Sequence, residues 1–376
     1  MICFDHAAAA PVLSEIRERY PVYLAQYSGN PEAAHAGGAA LRRELQSCAE
    51  RLAKALLPGR KVLPEYVVFY GHDATELLNM AGVVCGNTRA AAWGSALDHP
   101  AGSLMLERNF ERIEKFSLSS CGQITSLPET AARPAMVLIN HVQSEIGVRQ
   151  NLAELIPKLR KAAPGAVILL DCVQSALLEE YLLDVALPDL QLISGVKLGA
   201  GSGAALIAWG EKAGEFKRRW MALRRIWHLT GRISVVPAVA LTETLEIIQQ
   251  RRDAAKQQIE AINHFLRSRL QDMVLPNGRK IIFTVPAAAA SGNILHFILP
   301  GYQSGVLVRM FSAENILLAA GSACQSESDE PSVVLSSLKY SRSDSYSGLR
   351  LSFWLDNTLD EARIFMEKFS HILKNY

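Results

Sequence analysis

Through the first two thirds of the chain, short apolar runs alternate with polar or glycine-rich turns and with stretches of helical period. "EYVVFY", "AMVLIN", "AVILLD", "LQLIS" and "AALIAW" are rich in β-branched or aliphatic residues and too short for helices. Continuous apolar runs of this kind predict strands buried on both faces, so the alternation predicts βα units around a largely parallel, doubly covered sheet. From Pro237 to Met273 the pattern becomes one long helical stretch with charges on one face, as expected of a helix bridging two lobes. After it, "KIIFTVP", "GNILHFILPG", "ILLAAG" and "GLRLSFWL" alternate with helical segments ending in "DEARIFMEKFSHILKNY", which predicts a smaller α+β domain. No internal repeat is present, and "PAAAASG" at 286–292 reads as a loop.

Composition adds mainly exclusions. The 376 residues are 49% hydrophobic and 20% charged with net charge +2, an ordinary globular balance that offers no strong field for nucleic acid. The basic stretch "FKRRWMALRRIW" reads as a helix face. Six scattered cysteines, with no CxxC pair, predict neither a metal site nor a disulfide framework. With no leader-like start and no membrane-length apolar run, the expected location is the cytoplasm, away from membranes.

Three segments carry chemistry. In "LISGVKLGAGSGAAL" a strand ends at Ser194-Gly195 and is followed by Lys197. A lysine leaving an apolar strand beside glycines is placed for desolvation, and desolvation makes an amine both nucleophile and base. The glycines of that segment lead into another strand rather than a helix, which argues against dinucleotide binding. In "ILLDCVQS", Asp171 stands at the end of an apolar strand, where an acid needs a partner or serves as a cap. Lys197 and Asp171 together make the pair a pyridoxal phosphate site requires. In "GHDATELLNM" a helix begins near Asp73 to Thr75, and its free N–H groups suit a phosphate or a simple cap. His99 in "ALDHPAGS" is a candidate stacking ring or a hydrogen-bonded turn residue.

These segments resemble the cysteine desulfurases of the iron–sulfur-cluster and nitrogen-fixation type, within the class V aminotransferase fold. The likeness covers nearly the whole chain, through "FDHAAAAPV", "SGNPEAAHAGG", "DATE", "DHPAGS", "SEIGVRQNL", "DCVQS", "SGVK", "NILHF", "GSACQSESDEPS" and "LRLSF", in order. The resemblance implies a fold type I, aspartate aminotransferase-like architecture. This comprises a large domain at 14–250 with a mainly parallel seven-stranded sheet and a small domain at 251–376, joined by residues 1–13.

It also implies a cysteine desulfurase that uses pyridoxal 5'-phosphate to convert L-cysteine to L-alanine, leaving a persulfide on Cys324 for an acceptor or scaffold protein. Lys197 would hold the cofactor and shuttle protons, Asp171 would pair with its ring nitrogen, Gln174 with its phenolic oxygen, and His99 would stack on the ring. Ala74, Thr75 and Ser194 would hold its phosphate, and Arg350 and Asn30 the substrate carboxylate. The chain departs from the family pattern at Val196, where a histidine usually reaches the phosphate, and at Gln143-Ser144, where two asparagines are usual. In the expected homodimer, Arg232, or Thr230 nearby, would supply the phosphate contact from the partner subunit. A related carbon–sulfur or selenocysteine lyase, an aminotransferase, or a weakly active homologue are the alternative readings.

Overall fold

The computed structural model describes residues 1–129, 133–179, 187–227, 233–321 and 330–376. Its strands are, in chain order, β1 Ile2–Cys3, β2 Tyr66–Gly71, β3 Asn87–Gly94, β4 Phe110–Lys115, β5 Ser117–Leu118, β6 Ile124–Ser126, β7 Pro134–Asn140, β8 Val167–Asp171, β9 Leu190–Ser194, β10 Ala204–Trp209, β11 Ile282–Phe283, β12 Ile294–Ile298, β13 Ile316–Leu317 and β14 Gly348–Ser352. Seven of these form the large sheet, in the order β2-β10-β9-β8-β7-β3-β4. Only β10 opposes its neighbours in this sheet.

Both faces of this sheet are covered, and the side chains partition with the two-residue period of a strand. Val137, Ile139, Ile168, Leu170, Ile193 and Ile207 face one core, shared with the helices Ala36–Leu56, Leu152–Ala162 and Val235–Gln271. Met136, Leu138, Leu169, Leu190, Leu192 and Leu206 face the other, shared with Ala74–Cys85, Pro100–Asn109 and Ala213–Trp227. The unbroken apolar runs in the sequence reflect this double burial.

The smaller lobe is the antiparallel sheet β11-β12-β14. The terminal helix Leu359–Lys374 packs onto it through Phe297, Phe311, Phe365 and Phe369. That helix starts at a capping box of Thr358 and Glu361. At the other end of the chain, β1 pairs in parallel with β13, so the N-terminal arm joins this lobe. The long helix Val235–Gln271 continues without a break through residue 250. Among the described residues no helix is long and apolar enough to cross a membrane.

The sheet has its carboxyl-terminal rim where Gly71, Asn140, Asp171 and Ser194 end their strands. In doubly wound sheets the loops at this rim form the binding crevice. Here the N-terminal arm and β14 close over it.

Candidate active site

The turn that carries Lys197 is shaped by glycine. Lys197 sits on the single-turn helix Gly195–Leu198 directly after β9. A Cβ on Gly195 would lie 2.2 Å from the Ser202 carbonyl oxygen, so no other residue lets the outgoing and returning chains pass so closely. Gly199, Gly201 and Gly203 have φ near +80°, and they reverse the chain so that β10 enters antiparallel to β9. The glycine pattern is therefore a chain reversal that presents the lysine. Lys197 Nζ donates to the Ala8 carbonyl oxygen of the N-terminal arm.

A cavity of about 290 Å³ opens at this point, and Lys197, Asp171, Gln174, His99, Ser194 and Arg350 line it together with Ala74 and Thr75. Val196 lines it as well, so an apolar side chain occupies that part of the wall. Asp171 Oδ1 accepts from the Val173 N–H at 2.9 Å. Burial pushes its carboxyl up to about 6, opposed by that hydrogen bond. A cation in the cavity would relieve the expense of keeping it ionised.

His99 is the N-cap of the helix Pro100–Asn109, where its Nδ1 accepts from the Ala101 N–H at 3.2 Å. This bond fixes the ring plane. Burial, and then the charge of Lys197, lower the imidazole below its ordinary value, keeping the ring neutral. Gln174 Nε2 donates to the Ala7 carbonyl oxygen at 3.0 Å, which orients its amide beside the lysine.

At the start of the helix Ala74–Cys85, the Asp73 side chain accepts from the Glu76 N–H at 2.9 Å. The first two N–H groups, those of Ala74 and Thr75, have no partner within a helix and stand beside the Thr75 hydroxyl. They form an anion seat at the cavity.

Arg350 lies on β14, 1% exposed. One terminal nitrogen donates to Asp5 Oδ1 at 2.6 Å and the other to the Ser144 carbonyl oxygen at 2.9 Å. Its Nε has no partner among the described residues. The guanidinium is thus held rigidly at the cavity wall, and an incoming carboxylate would find a fixed cation.

Not every expected residue converges. Asn30 is exposed, its side-chain oxygen accepts from the Glu32 N–H at 2.9 Å, and it is not among the residues lining the cavity within this chain. Of the two residues expected at the substrate carboxylate, Arg350 lines the cavity and Asn30 does not. Cys324, Arg232 and Thr230 lie outside the described residues. Gln143 turns inward: its oxygen accepts from the N–H groups of Glu145 and Ile146, both at 2.8 Å, so it braces its own loop while Ser144 lines the cavity.

The residue reading missed Asp5, Asp98 and Asn140. Asp5 is legible only once the N-terminal arm is seen against β14. Asn140, ending the apolar run "AMVLIN" at the same rim as Asp171, carried the signal that marked Asp171 itself: a polar group closing a buried strand. A larger groove of about 680 Å³ opens near the opposite ends of the strands, lined by Arg108, Lys212 and Arg219 among others. None of the expected site residues among those described lines it.

The arrangement supplies an amine for a carbonyl carbon, a buried carboxylate for a heteroaromatic cation, a neutral ring to stack, an anion seat and a cation for a carboxylate. Known proteins share this fold. The chain is 24% identical to the cysteine desulfurase IscS of Anaeromyxobacter dehalogenans, an alignment covering 98% of this chain and 92% of the relative. The solved NifS-like protein of Rickettsia africae superposes with a TM-score of 0.80 at 20% identity, over 100% of this chain and 99% of the other. SspA solved in complex with cysteine superposes with a TM-score of 0.72 at 17% identity, over 94% and 99%. The family model described as aminotransferase class-V matches residues 2–365, and the chain belongs to that family.

Proposed function

We propose that this protein is a pyridoxal-phosphate-dependent cysteine desulfurase, producing L-alanine from L-cysteine and passing the sulfur through Cys324. The observation that carries this reading is the convergence of Lys197, Asp171 and Arg350 on one cavity. The cysteine desulfurases among its relatives and the cysteine-bound SspA support it.

The residues fit the cofactor. Asp171 is a buried carboxylate with one oxygen taken by Val173 N–H, and a protonated pyridine nitrogen compensates its burial. His99 offers a fixed neutral ring face, Gln174 an amide for the phenolic oxygen, and Ala74, Thr75 and Ser194 the donors for the phosphate. When bound, pyridoxal phosphate supplies an electron sink for the negative charge left when the substrate's α-proton departs.

The chain's own groups do the rest. Arg350, braced by Asp5 and the Ser144 carbonyl, binds and orients the substrate carboxylate. Lys197 Nζ takes and returns protons at the reacting carbons. The Cys324 thiolate forms a new S–S bond to the substrate sulfur as the substrate's C–S bond breaks, with the bonding pair remaining on carbon and later protonated. Cys324 follows Gly321 by three residues, and Ala319 exchanges backbone hydrogen bonds with Arg350.

In the same reading the enzyme works as a homodimer, Arg232 or Thr230 of the partner subunit completes the phosphate seat, and a separate protein accepts the persulfide sulfur. The test incubates purified enzyme with L-cysteine and quantifies alanine and thiol-sensitive persulfide. Parent protein should yield both in equal amounts, Cys324→Ser should retain the cofactor's visible band without persulfide, and Lys197→Ala should lose the band. Pyruvate in place of alanine, or undiminished alanine from Cys324→Ser, would overturn the assignment in favour of a carbon–sulfur lyase.

A further inference from the structure

Asp171 has a second buried carboxylate for company. Asp98, 8% exposed, follows β3, and its Oδ2 accepts from the Ser95 N–H at 2.7 Å. The side-chain amide of Asn140, at the end of β7, lies between the two acids.

In the orientation that satisfies both ends of this amide, its nitrogen donates to Asp171 Oδ2 at 2.9 Å and its oxygen accepts from the His99 N–H at 3.3 Å. That end of the amide is also 3.3 Å from Asp98 Oδ1. Two acceptors then face each other in a buried place, which is favourable only if Asp98 carries a proton. With the amide turned over, its nitrogen donates to Asp98 and its oxygen faces Asp171 Oδ2 instead, which an ionised Asp171 would oppose. One amide can serve only one anion.

We propose that Asn140 is a positioning residue through which Asp98 governs Asp171, the amide donating to Asp171 while Asp98 is neutral and turning to Asp98 when Asp98 ionises. The only covalent change is one proton passing from Asp98 to solvent. The groups facing Asp98 are the Ser95 N–H, Lys115, Asn140 and Asp171; those facing Asp171 are the Val173 N–H and Asn140, with Lys197, His99 and Arg350 around the cavity beyond. Burial pushes Asp98 up to about 7, reinforced by Asp171 and opposed by Ser95 N–H and Lys115, so the exchange falls near neutrality. Its consequence for catalysis rests on the pyridoxal phosphate reading. Above that pH, Asp171 loses a donor and its hold on a pyridinium weakens.

Two measurements test this. Infrared titration of ligand-free protein carrying carboxyl-labelled aspartate reads the acids directly, and titration of the cofactor's visible band reads the consequence. Asp98→Asn preserves the acceptor for Ser95 and donates to Asn140 at every pH, so it mimics the neutral acid. Asn140→Leu removes the bridge.

In parent protein, a carboxyl should ionise near pH 7 with a simultaneous shift of the Asp171 signal, and the cofactor band should step over the same range. Asp98→Asn should abolish both steps near pH 7 and leave Asp171 with its own ionisation at about 6 alone. Asn140→Leu should uncouple the two acids and weaken cofactor binding about tenfold, the equivalent of one charged hydrogen bond. The proposal fails if Asp98→Asn retains the step near pH 7 in the Asp171 signal beyond Asp171's own ionisation at about 6, or if Asn140→Leu leaves the coupling and the cofactor affinity unchanged. If Lys197→Ala and parent protein have the same visible spectrum, the cofactor reading fails, and the infrared titration alone still decides the coupling.

Discussion

Arg350 depends on two bonds made outside its own strand. Asp5 and the Ser144 carbonyl fix the two terminal nitrogens, and a lysine at the same position lacks the two-nitrogen fork that spans both contacts. Arg350→Lys should therefore raise KM for cysteine about 10- to 100-fold, with a smaller change in kcat, as expected for loss of a charged hydrogen-bonded contact of about 1.5–3 kcal/mol. Steady-state kinetics with holoenzyme check this, and an unchanged KM would remove Arg350 from the carboxylate site. The sequence marked Lys197, Asp171, Gln174, His99 and Arg350 as site residues, and the fold brings them to one cavity. It did not mark Asp5 or Asp98, whose significance is in contacts with distant parts of the chain, nor Asn140, although Asn140 carries the same strand-end signal as Asp171. Asn30 shows the converse: a motif residue whose side chain closes its own turn and stays exposed.

Among the elements, the reversal between β9 and β10 carries most of the site's precision. Gly195→Ala would drive a methyl to 2.2 Å from the Ser202 carbonyl oxygen, a contact that only backbone movement relieves. We expect a loss of about 1–3 kcal/mol of stability, the usual range for overpacking, together with loss of the lysine-dependent visible band. Gly165→Ala is the control, since nothing lies within 4 Å of its added carbon, and thermal unfolding should scarcely change. The strands read from the sequence were those made of branched and aliphatic residues. β3, "NTRAAAWG", and β4, "FERIEK", were not among them. The first is centred on three alanines, which have weak strand preference, and the second is an edge strand with four charged residues out of six; in both, sheet pairing overrides local propensity. The antiparallel sense of β10 was equally hidden, since a run of six buried residues reads the same in either direction.

For the molecule as a whole, the N-terminal arm is a shared component of the small lobe and the site. β1 pairs with β13, Asp5 holds Arg350, and the Ala8 carbonyl accepts from Lys197. In that lobe His296 is wholly buried on β12, with Nδ1 3.1 Å from the Thr284 hydroxyl. Burial, and then Arg350, push its imidazole down to about 3. The unfolded chain takes up this proton at the ordinary value near 6.5, so stability is fully present above that pH and is lost as pH falls toward about 3. His296→Asn should flatten this acid loss by on the order of 2–4 kcal/mol, read from denaturant unfolding at pH 4 and pH 8. Equal slopes in the two proteins would show that another group controls the acid response.

The sequence by itself determined the fold class, because doubly buried parallel strands leave unbroken apolar runs and their connecting helices leave a different period. It also supplied the chemistry-bearing residues at strand ends, where an acid or lysine closing an apolar run is conspicuous. Tertiary structure alone decided the direction of β10, the bracing of Arg350 by Asp5, and the acid–amide–acid arrangement behind the cavity. These depend on distances between residues as much as 345 positions apart, and local composition carries no record of them.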